Sequence, residues 1–236
     1  MEPTEQNRRA WDEVHRRRAE SMADRLGIPE TVRERLPDLE GKHVLHLQCA
    51  TGESTAELLE RGALVTALDI SAEALAVARE KAPHAVLVQA DVHELPLELR
   101  RGRFDLVYTG GGVLVWLHDL DVWAAGIAAA LRTGGELLLY DEHPVRMCID
   151  PVDLRWREDY FDETPYVGAG WTHFQLPGPP AREEKVEYFW GLGKIVNALA
   201  GAGLVIRSLD ELESMYPWKR TDRRVPAEFV LLADKV

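Results

Sequence analysis

The chain has 236 residues, 46% hydrophobic and 29% charged, which suits one α/β domain with a sizeable core and some structure laid over it. Twenty-eight basic against forty acidic residues give a net charge of −12, which repels phosphate backbones, so nucleic acid is not expected as a partner. Two cysteines, Cys49 and Cys148, exclude a disulfide framework, and no apolar run approaches the roughly 20 residues that span a bilayer, as expected of a cytoplasmic protein.

The N-terminus, MEPTEQNRRAWDEVHRRR, reads as an amphipathic helix and not a signal peptide, and residues 1–40 are expected to form a helical arm. After Gly41 comes a buried strand at Val44–Leu47, then a helix over Thr51–Arg61 stopped by Gly62. Ala63–Leu68 is a second strand ending at Asp69, and Ser71 caps a helix over Ala72–Lys81. Ala85–Gln89 and Phe104–Thr109 are the third and fourth strands, the latter followed by Gly110-Gly111-Gly112. Asp119 or Asp121 caps a helix running to Leu131, and Gly134-Gly135 turns into strand Glu136–Tyr140. Strands alternating with helices of this length argue for a parallel sheet with right-handed crossovers, a Rossmann-like three-layer sandwich of the α/β class.

Beyond residue 143 the composition changes. Six of thirteen prolines lie between Pro144 and Pro180, and nine of eighteen aromatics between Trp156 and Trp190. So many large side chains mark an insertion at about 145–190, not a linker. A helix near Leu192–Ala202, a Gly203 stop, and strands near Leu204–Leu209 and Glu228–Lys235 complete the domain, taken as 41–236.

In open parallel sheets ligands sit beyond the carboxyl ends of the strands. Gln48-Cys49-Ala50-Thr51-Gly52 follows the first strand with small residues and a helix N-terminus, which favours close approach of an anionic group. Asp69, closing the second strand, can accept from both hydroxyls of a ribose. Asp91, after the third, can accept from the amine of adenine, with Ile70 and Val92 on either side of the ring. Each element alone is also what a helix cap or a surface charge looks like; the ordered combination is what points to a nucleoside.

The runs VLHLQCATGEST, LDIS, ADVHELP, FDLVYTGGGVLVWL and LRTGGELLLYDEHP together resemble the successive motifs of class I S-adenosylmethionine (SAM)-dependent methyltransferases, over roughly residues 41–145. The resemblance implies a seven-stranded sheet in order 3-2-1-4-5-7-6 with an antiparallel last strand. It also implies SAM as cofactor, held by His46, Gln48, Cys49, Ala50, Thr51, Gly52, Asp69, Ile70, Asp91, Val92, Gly110 and Gly111. The family's first motif is acidic-x-Gly-x-Gly-x-Gly; here it is His46-x-Gln48-x-Ala50-x-Gly52, so the acid and two glycines are replaced. A dinucleotide fingerprint, a P-loop and a hydrolase elbow are all missing.

The expected activity is methyl transfer to a small-molecule acceptor; a non-catalytic SAM-fold protein, or an enzyme acting on protein or RNA, is the alternative. A general base is needed only for a protonated acceptor. His118, Asp141, Glu142 and His143 follow strands four and five, and His143 is the candidate for catalysis and for acceptor contact, with a surface or capping role as the alternative. Asp141, Glu142 and His143 are not expected to hold a metal, because neighbours on a strand point to opposite faces. Trp171 and Tyr188 are candidate acceptor contacts within the aromatic stretch, which otherwise forms a secondary core or a homodimer contact. Trp11 and His15, one turn apart, place the N-terminal helix over the cofactor as a lid.

Overall fold

The computed structural model describes residues 2–18, 27–150, 153–169, 181–215 and 222–236. The N-terminal helix α1 (Pro3–Arg18) and a single turn α2 (Glu30–Arg33) precede β1 (His43–Leu47). Alternation then carries the chain through α3 (Glu53–Glu60), β2 (Leu64–Asp69), α4 (Ala72–Lys81), β3 (Val86–Gln89), β4 (Phe104–Gly110), α5 (Leu120–Ala130) and β5 (Leu131–Glu142). A short turn α6 (Pro144–Met147) and a hairpin of β6 (Tyr166–Ala169) and β7 (Glu184–Glu187) follow. The chain finishes with α7 (Leu192–Gly201), β8 (Leu204–Leu212) and β9 (Glu228–Lys235).

The main sheet has the order β3-β2-β1-β4-β5-β9-β8. The first four pairings are parallel, and β9 runs antiparallel to both β5 and β8. With the β6–β7 hairpin set aside, this is the expected 3-2-1-4-5-7-6 arrangement. Strand alternation sends Leu45 and Leu47 to one face, where Trp123, Ile127, Ile195 and Phe229 pack, and Val44 to the other, against Leu58, Val65 and Tyr108.

The caps form as the sequence predicts: Ser71 Oγ accepts from Ala74 N at 3.1 Å and Asp119 from Val122 N at 2.9 Å. The largest boundary difference is in β5, while α3, β3 and β8 differ by one to three residues at an end. β5 starts at Leu131, not at Glu136, because Leu131 is buried and pairs with Phe104 before a register irregularity. Gly134, at φ 73°, sits in that irregularity, and a Cβ on Gly135 would lie 2.8 Å from the Phe104 carbonyl oxygen.

In the expected insertion, β7 stops at Glu187. Tyr188 N then donates to Val115 O and Trp190 Nε1 to Leu117 O, both at 2.8 Å, which ties this segment to the loop after β4. No helix among the described residues is long and apolar enough to cross a membrane.

Candidate functional site

The carboxyl ends of β1, β2, β3 and β4 converge on a cavity of about 150 Å³. Asp69 lines it, 8% exposed, and each of its oxygens already accepts a backbone N–H: Ala50 N at 2.8 Å and Ser71 N at 2.9 Å. A carboxylate has about four lone-pair positions, so these bonds do not exhaust its capacity to accept. Burial lifts the Asp69 pKa to about 6, against the pull of the backbone N–H groups.

Asp91 lines the same cavity. Its Oδ1 accepts from His93 N at 2.9 Å and pairs with His93 Nδ1 at 2.8 Å, so Oδ2 is the oxygen turned over to other partners. The side-chain hydrogen bonds from His93 and Thr4 help hold its carboxyl below the usual range, against burial. Ile70 and Val92 supply apolar wall.

The floor is Gly110-Gly111-Gly112. A Cβ on Gly110 would fall 2.1 Å from Tyr140 O, so no other residue fits. This turn is fixed by Asp141, whose carboxylate accepts from the backbone N–H of Gly112, Val113, Leu114 and Glu142 at 2.7–2.9 Å. Burial raises the Asp141 pKa to about 6, with those donors opposing.

Gln48 and Ala50 also line the cavity, with φ of 52° and 47°. Both therefore hold the left-handed backbone that glycine adopts without strain. Gln48 Nε2 donates to Val113 O at 3.1 Å, while its buried Oε1 has no hydrogen-bond partner. His93 Nε2 is likewise buried without a partner.

Across the opening lies α1, contributing Thr4, Asn7, Trp11 and His15. Its position is held on two sides. Asp12 accepts from Ser71 Oγ at 2.7 Å, at the N-terminus of α4. Asn7 makes a reciprocal pair with the backbone of Val186, at 2.9 and 2.7 Å, and Glu13 accepts from Arg182 N and Glu183 N at 3.0 Å.

A second, larger cavity of about 970 Å³ adjoins the first, and Trp11, Gly111, Gly112 and Trp116 line both. Trp11 and Trp116 meet edge to face with centroids 5.1 Å apart. The outer walls include Tyr160, Tyr166, Tyr188 and Trp190, with the last two rings stacked at 6.2 Å.

Residues 44–135 match the family model described as a methyltransferase domain. The chain has the fold of the S-adenosylmethionine-dependent methyltransferases. An S-adenosylmethionine-dependent methyltransferase from Mesorhizobium loti superposes with a TM-score of 0.65 at 24% identity, covering 86% of this chain and 95% of that one. An O-methyltransferase of Penicillium expansum is 34% identical over 171 residues, 67% of this chain and 58% of that protein. The trans-aconitate 2-methyltransferase of Deinococcus radiodurans is 38% identical over 105 residues, 43% of this chain and 38% of that protein. The chain thus spans less than two thirds of the length of these curated relatives.

Of the residues that the methyltransferase motifs singled out, Gln48, Ala50, Asp69, Ile70, Asp91, Val92, Gly110 and Gly111 line the inner cavity. His46, Cys49, Thr51 and Gly52 do not. His46 is buried, with Nδ1 2.8 Å from Thr55 Oγ1 and its ring against Tyr108, and burial drives its pKa down to about 3, so it is neutral. Burial pushes the Cys49 thiol up, and the Thr51 hydroxyl is turned to Glu53. Gly52, at φ 84°, lets α3 pack on Ala78, whose Cβ would be 2.8 Å from an added methyl.

His143 lines neither cavity. Its Nδ1 accepts from Val145 N at 3.1 Å, capping α6, and its Nε2 lies 2.9 Å from Glu211 Oε1. Burial lowers its pKa while Glu211 opposes. Tyr188 lines the outer cavity, and Trp171 falls outside the described residues. Sequence reasoning missed Thr4, Asn7 and His93 as cavity walls, and Asp141 as the anchor of the glycine turn. Thr4, Asn7, Trp11 and His15 follow i, i+3, i+7, i+11 spacing, one helix face, which is a signal the sequence does carry.

Proposed function

We propose that the chain is a SAM-dependent methyltransferase acting on a small molecule. One observation carries this: carboxylates from two strand ends and a glycine turn from a third share a cavity that opens, past two indoles, into a second one. SAM, when bound, supplies a methyl group already activated by its sulfonium charge.

The chain's own residues would bind and orient. Asp69 would accept from the ribose hydroxyls and Asp91 from the adenine amine, with Ile70 and Val92 against the ring. Gln48 and His93 would contribute side wall beside the nucleoside. The Gly110–Gly112 turn, held rigid by Asp141, would let the donor methyl approach the throat between the cavities. Trp11 and Trp116 would exclude water there and align an acceptor from the outer side. His143, which lines neither cavity, is given no part as a base, and neither is Asp141.

A small-molecule acceptor agrees with the outer cavity of about 970 Å³ and with the name carried by the Deinococcus protein. We place the protein in the cytoplasm, since both cysteines are free thiols, and take Trp156 and Phe161, exposed at 58% and 83%, as the expected homodimer contact. Titration calorimetry with SAM and with S-adenosylhomocysteine tests the cofactor reading; no heat with either removes it. Methyl-labelled SAM with a fractionated metabolite pool tests the acceptor, and label found only in protein or RNA would redirect the assignment.

A further inference from the structure

The segment after β3 holds one carboxylate by more than one donor. Asp91 opens a single tight turn over Val92–Glu94, and Val92 and Leu95 are buried in the same core cluster as Trp123 and Ile127, so packing sets the backbone there. The carboxylate could still rotate about its last bond, since His93 N, at 2.9 Å, holds one oxygen only. A second donor removes that freedom: the His93 ring places Nδ1 2.8 Å from the same oxygen, Oδ1. Against burial, these two bonds help hold the Asp91 carboxyl below the usual range.

The ring is itself held. Its side chain is 6% exposed, and the His118 ring, from the loop after β4, lies against it with centroids 3.8 Å apart. No described residue bonds its buried Nε2, so the contact with Asp91 alone decides which nitrogen carries the proton, and a carboxylate partner puts it on Nδ1. His93 and Asp91 both line the inner cavity. Thr4 also bonds the Asp91 carboxylate, but it does so from α1, whereas His93 belongs to the same turn as Asp91. An acceptor whose orientation is set before its ligand arrives loses no rotamer freedom on binding.

We infer that His93 is a positioning residue for adenine recognition: with its ring braced by His118, it holds the Asp91 carboxylate in the orientation that offers Oδ2 to the 6-amino group. This rests on the cofactor reading and assigns part of the selectivity for adenine to a side chain that acts through the carboxylate.

The test compares S-adenosylhomocysteine with its analogue carrying hydrogen in place of the 6-amino group, each titrated by calorimetry into the full chain. The parent should prefer the amine by roughly 10- to 150-fold, the worth of a hydrogen bond to a charged group. His93→Phe keeps a flat ring against His118 and removes the N–H. Its preference should fall at least about fivefold, through weaker binding of S-adenosylhomocysteine with the analogue little changed. His93→Asn gives up the ring but restores an N–H the same number of bonds from the backbone, and should recover the parent preference to within about twofold. A side chain that only packs would give the reverse order, so a parent-like preference in His93→Phe, or its loss in His93→Asn, overturns the inference. The parent supplies a check that needs no variant: long-range proton–nitrogen NMR of the His93 ring should show the proton on Nδ1, and a ring protonated on Nε2 alone overturns the inference as well. Equal affinity of the parent for both ligands removes Asp91 as the adenine contact, and this inference with it, while leaving the cofactor reading in place; no binding of S-adenosylhomocysteine removes both.

Discussion

Replacing Ala50 with glycine should stabilise the protein, although it deletes a methyl group from a partly buried position. Ala50 has φ 47°, and its N–H donates to Asp69 at 2.8 Å, so the backbone cannot relax away from the left-handed region without giving up that bond. An L-residue held there carries roughly 1–2 kcal/mol of strain, and glycine adds about 0.4–1 kcal/mol of freedom to the unfolded chain. The difference favours Ala50→Gly by about 0.5–1 kcal/mol, or roughly 1–4 °C in Tm for a chain of this length. Gln48→Gly relieves similar strain at φ 52° but loses the 3.1 Å bond to Val113 O, worth about 0.5–1.5 kcal/mol, so it should be close to neutral. Gly52→Ala supplies the opposite control. Its new Cβ would sit 2.8 Å from the Cβ of Ala78 at φ 84°, costing about 2–4 kcal/mol from overpacking and strain together. Urea denaturation of the three variants, with m unchanged, measures all of this. If Ala50→Gly proves less stable than the parent by more than about 1 kcal/mol, some 1.5 kcal/mol from the nearer end of the expected range, the strained-loop account is wrong.

The Asp69 pKa of about 6 gives a pH dependence with two opposite signs. Native Asp69 holds its proton up to a higher pH than an unfolded aspartate, so its contribution to stability should fall as pH rises from about 4 to 6. SAM binding needs the anion to accept ribose hydroxyls, so affinity should weaken as pH drops below about 6; a flat affinity profile from pH about 5 to 8 would count against Asp69 as the ribose acceptor. Asp69→Asn should lower SAM affinity by roughly 10- to 150-fold, the worth of a charge-assisted hydrogen bond; a change under twofold would be inconsistent with that contact. His143→Ala should lose about 0.5–2 kcal/mol of stability as a lost cap but leave the pH profile of methyl transfer in place; loss of one limb of that profile would reinstate it as a base. Removing residues 1–18 should weaken SAM binding, because Thr4, Asn7, Trp11 and His15 are one wall of the inner cavity; unchanged affinity would mean that the helix only covers.

Local chemistry made much of this legible. Ser71 and Asp119 are caps because their oxygens reach N–H groups three residues on, a relation contained in a few positions. Asp69 and Asp91 sit where strands end, and strand ends are visible as the points where apolar runs stop. What escaped depends on contacts that no local pattern encodes. His46 occupies the position of a ligand-binding acid, yet its ring nitrogen finds Thr55 on α3 and it ends up buried and neutral. Asp141 looked like a candidate base by its place after β5; only the folded loop, 27 to 29 residues upstream, reveals three further N–H groups aimed at its carboxylate. His143 has the same history, with Glu211 arriving from β8.

The position of α1 binds these observations together. Its Asp12 is docked on the N-cap of α4, on the side where Asp69 ends its strand, while Asn7 and Glu13 are docked on β7 and the residues before it, on the side of the outer cavity. Trp11 lies between the two anchors and belongs to both cavities. The inner cavity, at about 150 Å³, is smaller than the roughly 300 Å³ at the lower end for ligand pockets. A nucleoside filling it would press against α1, and a helix fixed at both ends cannot shift at one without pulling on the other. Asn7 is the decisive link, since its side chain satisfies the N–H and the C=O of Val186 at once in a buried setting. Asn7→Ala would strand both groups, at a cost of about 1–3 kcal/mol each where water cannot reach them. The hairpin should then loosen, and hydrogen exchange at Val186 should quicken even though the residue changed lies 179 positions away; slow exchange there in the variant would show that β7 holds its place without α1.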